Sequence, residues 1–199
     1  MLSSNFRGIA NSIIIPIAKI FAFLRISPSL ITIMGFVASV IAALSFYTGN
    51  LSLALVFLIL AGFFDVMDGA VARLLNRISD FGAFFDSVLD RYSDAAVLIG
   101  LTLYLHAYLL GMFALAGSFM VSYTRARAEH FIPKCDVGLG ERAERLIILI
   151  VALAAAVMGL YPAEKMLYYG FVLLTLIAFS TAIERFTYTY FVMRKSDEK

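Results

Sequence analysis

Six apolar runs, each long enough to cross a bilayer, fall near residues 29–48, 51–74, 83–105, 107–128, 145–162 and 166–190. A lipid-spanning segment must satisfy its backbone N–H and C=O groups internally, and for single runs of about 20 residues that means an α-helix. Only 15% of the 199 residues are charged and 62% are hydrophobic, whereas a soluble domain is about a quarter charged. The mean hydropathy is +0.91. The expectation is an all-α integral membrane protein with six transmembrane helices over residues 29–192 and a short tail at 193–199. Gly49 and Asn50 mark the first turn and Tyr161 with Pro162 the fifth. No repeat or low-complexity tract interrupts the pattern.

The first 28 residues read differently. Residues 6–24 are apolar, but Arg7, Pro16 and Lys19 interrupt them and no small-residue cleavage site follows, which argues against a signal peptide. An amphipathic helix lying in the membrane interface fits better. Ser27-Pro28 then opens the first span, with proline at a favoured first-turn position. The basic residues sort by side. Arg7, Lys19 and Arg25 precede the first span, and Arg73 and Arg77 lie between the second and third. Arg125, Arg127, Lys134, Arg142 and Arg145 surround the fourth-to-fifth loop, and Arg194, Lys195 and Lys199 follow the sixth. The alternate loops carry only His106 and the pair Glu164/Lys165. The positive-inside rule therefore predicts a multi-pass cell-membrane protein with both termini facing the cytoplasm. The net charge of +2 comes with no basic tail, so no nucleic-acid partner is expected.

Four carboxylates sit within the apolar pattern: Asp65 and Asp68 at i, i+3, and Asp86 and Asp90 at i, i+4, so each pair shares one face of its helix. An ionised carboxylate at membrane depth costs roughly 2.5–3.5 kcal/mol on insertion scales. Residues 74–81 carry Asn76, Arg77, Ser79 and Asp80, a polar turn expected to fold the second helix back against the first. Convergent oxygen ligands suit Mg²⁺ or Mn²⁺. Gly69 and Gly82 allow close approach of a ligand or a helix. The alternative is a network of ion pairs with Arg73, Arg77 and Arg91. The single cysteine, Cys135, excludes an internal disulfide and cysteine-based zinc sites, and His106 and His130 are too few for a histidine cluster.

The run from Asp65 to Asp90 reads D-x2-D-G-x2-A-R-x8-G-x3-D-x3-D. It resembles the signature of the CDP-alcohol phosphotransferase (CDP-alcohol phosphatidyltransferase) family of integral membrane enzymes, and all eight fixed positions are met over 26 residues. Six spans, a short N-terminal juxtamembrane helix and a cytoplasmic active site agree with that family. The resemblance implies two metal ions, Mg²⁺ or Mn²⁺. Asp65, Asp68 and Asp86 would be the principal ligands, and Asp90 the general base that also touches a metal. Gly69, Ala72, Arg73 and Gly82 would line the nucleotide side of a CDP-linked lipid. The phosphatidyl-type group would pass to an alcohol with release of CMP, and the resemblance also implies a homodimer. Ser29 departs from the Asn or Asp often found there in relatives. Asp94 continues the i+4 series after Asp90 but lies outside the signature, one turn deeper. A structural hydrogen bond or pairing with a basic residue is expected for it, in preference to a role as fifth ligand.

A second cluster comprises residues 122–129 (Ser-Tyr-Thr-Arg-Ala-Arg-Ala-Glu) and 141–145 (Glu-Arg-Ala-Glu-Arg). Guanidinium groups beside a metal-bound phosphate make sense if the soluble acceptor itself carries a phosphate, which arginine binds bidentately. The alternative is positive-inside arginines paired with Glu129, Glu141 and Glu144. The pattern resembles the subgroup that uses inositol 1-phosphate, namely bacterial phosphatidylinositol-phosphate and archaeal archaetidylinositol-phosphate synthases. By that resemblance Ser122, Arg125, Arg142 and Arg145 would serve the acceptor, with Arg185 reaching it from the last span. Arg125 stands where many bacterial members have lysine. Competing readings are a phosphatidylglycerophosphate synthase using glycerol 3-phosphate, a di-inositol-phosphate-phosphate synthase using CDP-inositol and, from another class, a divalent-cation transporter. A transporter should spread its acids across membrane depth on several helices. Archaeol and diacylglycerol donors remain equally open.

Overall fold

The computed structural model describes residues 4–197, with side chains for residues 14–195. Seven helices follow one another among the described residues: α1 (Ser4–Phe23), α2 (Pro28–Tyr47), α3 (Leu51–Leu74), α4 (Asp80–Leu105), α5 (Tyr108–Ala128), α6 (Arg142–Val157) and α7 (Ala163–Asp197). Helices α2 to α7 match the six apolar runs in order. The expected N-terminal segment contains α1, and residues 1–3 of it lie outside the described residues, as do 198–199 of the expected tail. Residues 193–197 continue α7.

Local chemistry places the ends. Ser27 caps α2 by accepting from the Leu30 N–H at 3.3 Å, with Pro28 behind it. Asn50 accepts from the Leu53 N–H at 3.1 Å, and Ser79 from Gly82 at 3.1 Å. Each cap supplies an acceptor to a backbone donor that the helix leaves unpaired. Glu141 and Glu144 form a reciprocal capping box at the start of α6. This is why α6 begins at Arg142, three residues before the apolar run. Between α3 and α4, Asn76 adopts a left-handed φ of 51°, which a short polar side chain tolerates.

The turn after α3 does not lay α4 against α3, as the sequence led us to expect. Both helices pack chiefly on α2, which runs between them. Gly100 explains the tightness on one side: a Cβ there would stand 2.5 Å from the Ala43 carbonyl oxygen. On the other side of the molecule α7 takes the corresponding place, contacting both α5 and α6. The halves meet where α3 contacts α6 and α4 contacts α5. A core of Phe46, Leu58, Leu101, Leu153, Phe171 and Leu174 joins α2, α3, α4, α6 and α7. A smaller cluster of Ala18, Ile31, Met67 and Val71 holds α1 against α2 and α3.

Much of the outer surface is apolar, with Leu44, Val56, Leu109, Met112, Val151, Leu176 and Ile183 all more than half exposed. Apolar exposure on this scale suits contact with lipid, not water. Among the described residues three helices, α2, α3 and α7 up to Lys195, are long and apolar enough to cross a membrane. The protein is all-helical and has membrane character.

Candidate active site

Asp65 on α3 and Asp86 and Asp90 on α4 each offer a carboxylate oxygen within 4.8 Å of the others. Asp86 Oδ1 is buried with no hydrogen-bond partner among the described residues. An orphaned carboxylate oxygen is costly at such a site, and convergent hard oxygens are what a small divalent cation takes. The residues therefore fit the metal that the signature implies. Asp68, 7% exposed, stands beside them, and its Oδ2 accepts from the Thr32 hydroxyl at 2.8 Å.

Of the arginines that the ion-pair alternative named, Arg91 alone pairs with these acids among the described residues. Arg91 approaches Asp90 at 3.5 Å but donates more closely to the Ser87 carbonyl, at 2.6 Å. The main cation comes from α6. Arg142 Nη1 bridges Asp65 Oδ1 and Asp90 Oδ1, the latter at 2.6 Å, while its Nε donates to Asp94 Oδ1 at 3.2 Å. Arg145, only 6% exposed, donates to Asp94 Oδ2 at 2.6 Å and to the Gly140 carbonyl at 2.5 Å. Asp94 is thus paired with basic groups, as its position one turn beyond Asp90 suggested.

The expected arginine set separates into two groups. Arg142 and Arg145 share Asp94, while Arg125 and Arg185 share Glu141 Oε1 at 3.1 and 3.2 Å. Arg125 also contacts Glu129 at 3.1 Å and Asp136 at 3.0 Å. In the loop after α5, hydrogen bonding from Lys134 holds the Asp136 carboxyl below its usual range, so it stays anionic toward Arg125. Arg185 is 2% exposed and also donates to the carbonyls of Val121 and Val137. Ser122, half-buried on α5, follows that Val121. Adjacent in the chain, Glu141 and Arg142 join the two groups.

On the opposite flank of Asp68 and Asp86 lies an open cleft of about 440 Å³. All four residues expected on the nucleotide side line it: Gly69, Ala72, Arg73 and Gly82, together with Ser29 and Arg77. The glycines keep its wall low. A Cβ on Gly82 would come within 3.0 Å of Ser79 Oγ, and one on Gly69 within 3.3 Å of Arg73 Nη1. The site therefore has two ends, a cleft on one side of the acids and guanidinium groups on the other.

A family model described as CDP-alcohol phosphatidyltransferase matches residues 25–183. The chain belongs to the CDP-alcohol phosphatidyltransferase family. It is accordingly a transferase of substituted phosphate groups. It is 39% identical over 171 residues to the archaetidylinositol phosphate synthase of Pyrococcus horikoshii, covering 85% of this chain and 86% of that protein. The crystal structure of Mycobacterium tuberculosis phosphatidylinositol phosphate synthase with CDP-DAG bound superposes with a TM-score of 0.80 at 32% identity, covering 90% of this chain and 94% of that one. The same enzyme in complex with manganese and citrate gives a TM-score of 0.78 at 32% identity, with 88% of each chain covered. Family membership removes the cation-transporter reading.

Two features of the site escaped the sequence. Thr32 reaches Asp68 from another helix, 36 residues away in the chain, and no local pattern announces it. The contact of Arg142 with the signature acids was also missed, although its position at the start of α6 was visible.

Proposed function

We propose that this family member transfers a phosphatidyl-type group, diacylglycerol- or archaeol-phosphate, from a CDP-linked lipid to inositol 1-phosphate and releases CMP. The observation that carries the reading is the two-ended site, with acids within 4.8 Å of one another between the cleft and the Arg142/Arg145 pair. The relatives named archaetidylinositol phosphate synthase and phosphatidylinositol phosphate synthase support an inositol phosphate product. The CDP-DAG-bound structure supports a CDP-lipid donor, and the manganese-bound one supports Mg²⁺ or Mn²⁺ as cofactor, two ions in this reading.

Asp65, Asp68, Asp86 and Asp90 would hold the metal, which when bound would offset charge on the pyrophosphate. Gly69, Ala72 and Gly82 let the nucleotide lie against the helices, and Arg73 faces the donor in the cleft. Arg142 and Arg145, with Arg125, Arg185 and Ser122 behind them, orient the acceptor phosphate. Asp90 takes the proton from the acceptor hydroxyl. The hydroxyl oxygen forms a bond to the lipid-side phosphorus as the bond from that phosphorus to the CMP oxygen breaks.

In this reading α2 to α7 are six spans forming the catalytic domain over residues 29–192. The described part of the N-terminal segment, residues 4–28, lies at the interface, and α7 from residue 193 to residue 197 reaches the cytoplasm. Both termini and the active site face the cytoplasm, and the enzyme works as a homodimer. Purified protein given CDP-diacylglycerol or CDP-archaeol should release CMP with inositol 1-phosphate but not with free inositol. Turnover with glycerol 3-phosphate and none with inositol 1-phosphate would move it to the phosphatidylglycerophosphate branch. A reaction that needs CDP-inositol instead of a CDP-lipid would replace the donor assignment.

A further inference from the structure

Arg142 does more than flank the acids. One of its nitrogens lies on Asp65 Oδ1 and Asp90 Oδ1, two carboxylates of the set that would hold a divalent cation, while its Nε remains on Asp94. We infer that Arg142 and the divalent cation compete for Asp65 and Asp90, with Asp94 as the tether that keeps the displaced guanidinium beside Arg145. The inference rests on the metal reading of the acid cluster.

The geometry gives the competition a direction. Two of the three acids that converge within 4.8 Å are shared with the guanidinium, whereas Asp86 keeps an oxygen with no partner among the described residues. A cation can therefore be met first at Asp86 and then take Asp65 and Asp90 from Arg142. Arg142 leaves those oxygens without leaving the site, because its contact with Asp94 comes from a different nitrogen. Arg145 holds the second oxygen of Asp94. The freed nitrogen thus lies beside Arg145, where a phosphate on the soluble substrate can receive both. Metal loading and presentation of the acceptor-binding arginine become one event, and each favours the other by linkage.

The test is a Mn²⁺ titration by calorimetry of the whole protein in detergent, comparing wild type, Arg142→Gln, Arg142→Lys and Asp86→Asn. Arg142→Gln removes the competitor and should bind Mn²⁺ about tenfold or more tightly. Arg142→Lys should shift the same way by less, since one ammonium cannot span Asp65, Asp90 and Asp94 together. A charge acting only through space would leave the lysine variant like wild type. Melting supplies the second readout: Arg142→Gln should melt below wild type in chelator, and the gap should close in saturating Mn²⁺. Unchanged or weaker Mn²⁺ binding by Arg142→Gln, with Asp86→Asn losing binding, overturns the competition and leaves the metal site standing. Absence of Mn²⁺ binding in wild type overturns both. A melting gap that stays constant as Mn²⁺ is added also contradicts the inference.

Discussion

Asp94 shows how far one carboxylate can organise a site. It holds Arg142 at 3.2 Å and Arg145 at 2.6 Å through different oxygens, so the acids of α4 continue into the basic start of α6. Its helical spacing from Asp90 made that role legible in the sequence. The partners of Arg142 were not, nor was the contact of Arg125 with Asp136, because they depend on which acids the fold brings to the α6 end. Arg125 meets three acids, so the pairing alternative holds for it in part, and an incoming phosphate must compete with those carboxylates. Asp90 is the residue whose loss should be most specific. Asp90→Asn cannot accept the acceptor proton, yet it leaves Asp65, Asp68 and Asp86 in place. Turnover should fall by about 10² to 10⁴-fold while CDP-lipid binding, read by equilibrium titration, stays near wild type. A variant that turns over at the normal rate removes Asp90 as the base.

The helices themselves were readable because apolar length and capping residues agree. Serine, asparagine and glutamate caps fix the starts of α2, α3, α4 and α6. The order of packing was not readable. A short polar turn suggested neighbouring antiparallel helices, but α2 runs between α3 and α4, and side-chain pattern within one helix does not say which neighbour covers it. The crossing of α2 with α4 depends on Gly100, where a Cβ would meet Ala43 backbone atoms at 2.5 and 2.6 Å. Backbone on the facing helix cannot turn aside as a side chain can. Gly100→Val should destabilise the protein by about 1–3 kcal/mol or more through overpacking, seen as a lower melting temperature in detergent. Unaltered melting would mean that the two helices can separate at no cost. At the start of α4, Ser79→Ala removes the acceptor for Gly82 N–H and should cost about 1 kcal/mol, measurable in the same melts.

At the scale of the whole molecule, the apolar exterior and the asymmetry of basic residues both follow from composition along the chain, and they carry the proposed orientation. Cys135 is no reporter of it, since the structure buries that thiol completely. Lys134, with 71% of its side chain exposed, is the better position. In a Cys135→Ala background, Lys134→Cys should react with a membrane-impermeant thiol reagent only after cells are permeabilised. Labelling in intact cells would place the loop outside. In the proposed reading, fold and function are joined by a division of the site into a cleft lined by Arg73 for the donor and an end bearing Arg145 for the acceptor. Initial rates of wild type, Arg73→Ala and Arg145→Ala, with both substrates varied, test that division directly. Arg145→Ala should raise the inositol 1-phosphate KM about ten- to a hundredfold, the worth of a lost charge-assisted hydrogen bond, with little change for the CDP-lipid. Arg73→Ala should do the reverse. If the two substitutions raise both KM values together, or exchange their effects, the two-ended site is wrong.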